Sequence, residues 1–571
     1  MQGAGSLVDR LGRDDYSEAE KVVLNHFFTN IDKNIYCPTE HMPFPVWAFL
    51  VGQYSRSDKM MRDRFLEVFD QMKKKVDAGE WPRDQLVTVQ DAAEAIAASK
   101  HHVISFFFKT AEDFLSKWGV QYGHASLKDA DKVRVAIEGI SQLVTNFIEL
   151  PDPELGDYQE KSTRYITFNK QSVIIPPRLK NSGFAQAVKE NNDALMESYE
   201  RWTPFVRDWL AREVVNEKAF KSSAAYKSTL NAKTFDIMRY WLPQGLITSL
   251  GATWPTRVAE THVSQMMMHP LEELQSIGRA IWEEGLKITP GLLRHVEPND
   301  YFGQTIPAMY ALAEELLTPQ VQDYHRGDRD VRRVCLVHHT RDFEDLLLAG
   351  ILYEFGNGRQ FENILIQVQQ FNAAERDLVF KEYLSRRGPH DLMLRGTKLG
   401  RFLFEYTLDN GAWRDVKRQR VGTQLKQDIT AALGFAYPEH LEDCPALRDV
   451  KEEYESLMER TTKLYNQVFA QFPRDASYIP AMGHLGRSIY EFHARQSQYA
   501  VELRTAEAGH HSYKTLFRDT YREIERVLPR FAAHIRAVMD DGNVGRQKAE
   551  EHAAQKAAKQ LEDDKKRSSA S

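Results

Sequence analysis

Two short segments gather side chains suited to holding anions. In Tyr158-Gln159-Glu160-Lys161-Ser162-Thr163-Arg164-Tyr165, a carboxylate, a hydroxyl and a guanidinium follow at every second residue. In Arg418-Gln419-Arg420, two guanidiniums flank an amide. Arg239 stands four residues before Pro243, and Arg504 lies in Glu502-Leu503-Arg504-Thr505. Planar guanidinium forks bind phosphate oxygens bidentately. Other chemistries lack their residues. There is no GxxxxGK[ST] loop, no GxGxxG after a strand, no HExxH and no Gly-x-Ser-x-Gly elbow. His101-His102, His338-His339 and His510-His511 are poor metal clamps, because adjacent side chains on a helix point about 100° apart. Cys37, Cys335 and Cys444 are scattered and odd in number, so neither a disulfide framework nor a zinc site is expected. No metal is therefore expected, and the expected compartment is a reducing cytoplasm.

Helical periodicity dominates the elements that must position these groups. Val103, Ile104, Phe107, Phe108, Ala111, Phe114, Leu115 and Trp118 follow helical spacing. A helix is predicted from Pro270 to about Lys287, and others over 448–472 and 512–539. Predicted strands are few: 165–168, 172–175 ended by Pro176-Pro177, and 333–338. The pattern predicts an α+β chain, helix-rich with small sheets.

The two halves share an order of features. Residues 46–69 and 334–355 each read as a short apolar run, a polar stretch with Ser or Thr and Arg, then an amphipathic helix. Gly123-His124 and Gly388-Pro389-His390 follow. Later come Leu242-Pro243-Gln244-Gly245 and Ile479-Pro480-Ala481-Met482-Gly483. Similar separations point to a tandem duplication with a junction near 300–330.

In that frame the chain resembles the flavin-dependent thymidylate synthase family. Its signature is Arg-His-Arg, seven residues, then Ser, with Glu two before that Ser and Arg two after it. The first half keeps the back of the signature as Glu160, Ser162 and Arg164, with Asp152-Pro153-Glu154 where Arg-His-Arg would stand. The second half keeps the front as Arg418-Gln419-Arg420, with Asp428 in place of the Ser. Arg239 and Arg504 match family arginines that hold the nucleotide, and Ala476 and Met266 occupy the corresponding places in the other half. Arg257 and Arg495 match in both. The resemblance covers about 45–290 and 335–535. Taken alone, Arg418-Gln419-Arg420 is an ordinary solvated face. Ser162 and Arg164 alone are a strand-end cap and a surface charge, and His124 is a buried histidine. Their shared order makes them site candidates.

The resemblance implies two tandem thymidylate-synthase-like domains, 17–310 and 311–540, between a polar segment 1–16 and a charged tail 541–571. It implies FAD as cofactor, with NADPH and methylenetetrahydrofolate as cosubstrates, and C5 methylation of deoxyuridylate. Ser162 is the implied catalytic residue. Glu160, Ser162, Arg164, Arg239 and Arg504 are the implied substrate set, in which a carboxylate and a hydroxyl hold the imide edge of uracil. His124, Arg418, Gln419 and Arg420 are the implied cofactor set. One composite pocket would draw these residues from both halves. A fused pair implies a homodimer with pseudo-tetrameric geometry. The rival readings are other flavin-linked nucleotide chemistry and a non-catalytic scaffold.

With 571 residues and 42 % hydrophobic content, the chain has ample material for cored domains and is not disordered as a whole. Its net charge of −6 argues against a globally basic nucleic-acid surface. No run of 18 apolar residues is present, so no membrane span is expected.

Overall fold

The computed structural model describes residues 13, 15–42, 44–53, 57–78, 88–98, 131–152, 155–164, 166–170, 172–220, 222–293, 296–317, 324–327, 331–388, 390–419 and 421–540. The helix expected over 103–118, and with it Gly123 and His124, lies outside these residues, as do Tyr165, Arg420 and the tail.

Two runs of elements repeat one pattern. In the first, β1 (Ile35–Tyr36), β2 (Lys132–Ser141), β3 (Asp157–Glu160) and β4 (Ile247–Pro255) form an antiparallel sheet of order β1-β2-β4-β3. Its helices are α1 (Gln142–Ile148), directly after β2, then α2 (Ala185–Glu213) and α3 (Ser223–Met238) before β4, then α4 (Thr256–Met267) and α5 (Glu272–Gly285). The pair β5 (His325–Arg326) and β9 (Gly434–Phe435) is parallel. In the second run, β6 (Val334–His339), β7 (Phe402–Asp409), β8 (Thr423–Lys426) and β10 (Leu485–Phe492) form an antiparallel sheet of order β6-β7-β10-β8. The helices again follow in step: α6 (Asn410–Val416) directly after β7, α7 (Arg448–Phe469) before β10, then α8 (Ala494–Thr505) and α9 (His511–Val527). The chain is helix-rich α+β with small sheets.

Backbone bonds at the strand–helix junctions repeat as well. Gln142 N and Leu143 N donate to Leu246 O and Gln244 O. Asn410 N and Gly411 N donate to His484 O and Met482 O.

Compact packing defines two units that exchange segments. The first comprises 1–192, 243–321 and 468–479. The second comprises 193–242, 322–467 and 480–571. The stretch leading into the last sheet strand of each run is thus packed with the other run. In the second unit, Met482 N and Gly483 N donate to Leu242 O and Tyr240 O at 2.8 and 3.0 Å.

Each strand-to-helix junction is fixed by an acid and a hydroxyl, with the two types reversed between units. In the first unit Ser141 caps α1, and its N and Oγ both donate to Glu273 on α5 at 2.7 Å. Tyr478 OH adds a third bond to Glu273 at 2.6 Å. In the second unit Asp409 caps α6 through Ala412 N at 2.7 Å and accepts from Ser512 Oγ on α9. Glu273 and Ser512 are both the second residue of their helix.

Several predicted elements differ. Residues 166–169 are irregular, and Val173 makes only an isolated bridge to Leu246. Ile166, Phe168 and Ile174 are buried, so their apolar character anchors a loop. The helix predicted over 512–539 ends at Val527, because Pro529 bars Leu528 from helical backbone angles; Leu528 has φ −131° and ψ 65°. His390 lies in a turn. The long strands β2, β4 and β7 are largely buried on both faces and carry no clean polar alternation.

Removing the Glu273 carboxylate leaves buried donors on Ser141 and Tyr478 unpaired. Glu273→Ala should cost about 2–4 kcal/mol. Adding Ser141→Ala should cost less in that background than alone. Burial raises the Glu273 pKa, against the pull of its three donors. The folded chain then keeps a proton that the unfolded chain releases just above the ordinary glutamate range. The stability difference between wild type and Glu273→Gln should therefore shrink as pH rises through the folded-state pKa. Denaturant titrations across pH test this, and a pH-independent difference would contradict it.

Candidate functional site

The second unit gathers cationic side chains around a short, buried helix. Asp409 starts α6, all seven residues of which are buried. The loop after it is held down from β8. Gln424 Nε2 reaches Gln419 O at 2.9 Å, Lys417 O at 3.2 Å and Tyr490 OH at 3.0 Å. Asp415, Arg418 and Gln419 are fixed in place by this arrangement.

Three guanidiniums converge on the Asp415 carboxylate. Arg239 Nη1 lies 3.8 Å from Oδ2, Arg418 Nη1 3.9 Å from Oδ1, and Arg504 Nη1 3.8 Å from Oδ1. These separations are too long for hydrogen bonds, so Asp415 orders the cations by charge. Arg504 stands in the last turn of α8, with its guanidinium 5.4 Å from the Tyr513 ring centre. The Gln419 amide, with its oxygen toward Arg504, accepts from Nε at 3.0 Å and Nη2 at 3.2 Å.

Arg239 reaches this site from the first run of elements. It ends α3 and begins the turn Arg239–Trp241, which is tied by Trp241 Nε1 to Ser198 Oγ at 3.0 Å. Arg239 is 2 % exposed, and its Nε and Nη2 have no partner among the described residues. Gly411 makes room for it: a Cβ there would lie 3.2 Å from Arg239 Nε and 3.1 Å from Asp409 Oδ1. The corresponding positions of the first unit are Leu143 and Ala476, both apolar. Met266, buried, stands at the position of Arg504.

The other candidates lie in the first unit. Glu160 ends β3, is buried, and accepts from Thr248 Oγ1 at 3.5 Å. Ser162 Oγ accepts from Arg164 N at 3.2 Å. Lys161 N donates to Ser249 O, and burial lowers the pKa of its side chain. Arg239, Arg418, Gln419 and Arg504 are thus brought together in one unit, and Glu160, Ser162 and Arg164 form a separate group in the other. His124 and Arg420 lie outside the described residues. Arg257 and Arg495 each take the second place of their helix.

Sequence reasoning gave Asp415 no role. Its signal was position, three residues before Arg418, on the same side of a helix turn.

Residues 80–291 match the family model described as thymidylate synthase complementing protein. The match contains Glu160, Ser162, Arg164 and Arg239. The second run, outside the match, repeats its element order. Relatives extend over both runs. A UPF0159 protein of Chlamydia muridarum is 26 % identical over 561 residues, covering 94 % of this chain and 98 % of the relative. A UPF0159 protein of Chlamydia pneumoniae is 25 % identical over 547 residues, with coverage of 94 % and 98 %. One from Thermoplasma acidophilum is 23 % identical over 479 residues, covering 77 % of this chain and 92 % of the relative. Among solved structures, a UMP/dUMP methylase PolB from Streptomyces cacaoi bound with 5-Br dUMP is similar at 11 % identity and a TM-score of 0.28. That similarity covers 37 % of this chain and 95 % of the methylase.

Arg239 carries a buried charge with unpaired donors, a strain that an anion would relieve. Arg239→Met should leave the ligand-free protein as stable as wild type or more so. It should also remove the thermal stabilisation that inorganic phosphate gives the wild type. Gly411→Ala should weaken phosphate binding by crowding Arg239. Thermal melts with and without phosphate measure both effects, and an unchanged phosphate response in Arg239→Met would exclude this site.

Proposed function

We propose that the chain is an FAD-dependent enzyme that methylates C5 of a uridine nucleotide, deoxyuridylate to thymidylate. Methylenetetrahydrofolate serves as one-carbon donor and NADPH as reductant. The observation that carries this reading is the convergence of Arg239, Arg418 and Arg504 on Asp415, in a chain whose residues 80–291 match the thymidylate synthase complementing proteins.

Three guanidiniums around one carboxylate leave an excess of positive charge in a partly buried place. A phosphate dianion offsets it and accepts from the forks. The two unpartnered donors of Arg239 suit a ligand with several acceptor oxygens, as a nucleotide phosphate or a flavin pyrophosphate is. Gln419 holds the Arg504 fork in orientation. In this reading Arg239 and Arg504 hold the nucleotide phosphate, Arg418 serves both that phosphate and the cofactor, and Gln419 and Arg420 serve the cofactor. Glu160, Ser162 and Arg164 form their own group in the first unit, where Ser162 Oγ accepts from Arg164 N, and have no part in this phosphate site. Bound FAD supplies the redox and one-carbon chemistry that side chains lack. The protein's part is to bind, orient and exclude water.

Expression in a thymidine-requiring cell without any thymidylate synthase tests the proposal. Wild type should restore growth without thymidine, and Arg239→Ala or Arg418→Ala should reduce it by at least tenfold, since a charge-assisted bond contributes roughly 1.5–3 kcal/mol. The purified wild type should be yellow and should bleach with NADPH. A colourless protein that fails to support growth would overturn the reading.

A further inference from the structure

Lys426 is the last residue of β8 and pairs with Ser488 on β10. In the first unit the last residue of the matching strand β3 is Glu160, paired with Leu250. The two runs therefore place opposite charges at one structural position. Strand alternation puts Lys426 on the same sheet face as Gln424, whose amide pins the loop carrying Arg418 and Gln419.

The surroundings of the amine are unusual for a lysine. Nζ lies 4.5 Å from the Trp413 ring centre and 3.4 Å from Asn410 Oδ1, its one hydrogen-bond acceptor. A Cβ on Gly486 would come within 3.4 Å of it. Among the described residues no carboxylate lies within ion-pair distance. Asp409 attracts it from farther off, but its two oxygens are already engaged by Ala412 N and Ser512 Oγ. Lys417, buried, adds a like charge. Ser488 Oγ and Trp413 Nε1 are buried nearby in the same unit without partners among the described residues. Burial and Lys417 push the ammonium down to about 7, with Asp409 opposing. A structural strut between strand and helix would be better served by a permanently charged or an apolar side chain.

We propose that Lys426 is the proton-handling residue of the second unit's site, facing the heterocycle of a nucleotide whose phosphate is held by Arg239, Arg418 and Arg504. The neutral amine takes the proton of a ring imide N–H through its lone pair. The products are an ammonium and a ring anion, and return of the proton reverses the step. No oxidant, reductant or further reactant is required. This inference rests on the nucleotide reading above.

Reductive methylation of the full chain with 13C-formaldehyde and borohydride lets each lysine be titrated by NMR. One resonance should titrate near neutrality, well below the others, and be missing from Lys426→Arg and Lys426→Met. Deoxyuridylate should slow its labelling and shift its titration, whereas inorganic phosphate alone should only raise its pKa. A Lys426 resonance that titrates with the surface lysines overturns the inference, even if the nucleotide binds. So does one that titrates low but ignores bound deoxyuridylate. A protein that binds no uridine nucleotide refutes the nucleotide reading and this inference with it, whatever the resonance does with phosphate.

Discussion

Everything that positions chemistry in this chain hangs from the junction where a central strand becomes a short buried helix. An acid and a hydroxyl clamp that junction to the second residue of a later helix, Ser141 with Glu273 in one unit and Asp409 with Ser512 in the other. The interaction fixes where the helix starts and therefore where its last turn ends. In the second unit that last turn carries Asp415 and leads into Arg418 and Gln419. Reversing the acid and the hydroxyl keeps the clamp but changes the local charge. The first unit buries a carboxylate away from its helix, and the second places one at the helix N-terminus, where the helix dipole favours it.

Segment exchange then decides what the clamp is used for. Residues 193–242 pack in the second unit, and this brings Arg239 beside Asp415. A glycine at 411 admits the guanidinium. Residues 468–479 pack in the first unit and bring Tyr478 onto Glu273, with Ala476 at the position of Arg239. The same architecture thus yields a cationic site in one unit and a hydrogen-bonded, largely apolar junction in the other.

The sequence made some of this legible and hid the rest for physical reasons. The repeated order of features survived because each marks a junction or turn that both units need. Arg239, Arg418 and Arg504 could be named because each matches an arginine of the resembled family, although Ala476 and Met266 stand at the places of Arg239 and Arg504 in the other half. The composite pocket put Arg239 with Arg418 and Arg504, but the packing of the whole stretch 193–242 in the second unit leaves no local signal. Asp415 was silent because one acid in a basic stretch reads as an ordinary helix pair. Strands β2 and β7 escaped because burial on both faces removes the alternation by which strands are recognised. The apolar residues of 166–174 imitated a strand while anchoring a loop.

The central claim is that Arg239, Arg418 and Arg504 form one nucleotide phosphate site, confined to the second unit. A crystal structure of the protein with 5-bromo-deoxyuridylate tests it directly, because the bromine locates the ring and the density locates the phosphate. The account predicts one phosphate per chain on these three guanidiniums, with Arg239 Nε and Nη2 donating to its oxygens. A phosphate bound in the first unit alone, or one held in the second unit without Arg239, would contradict it.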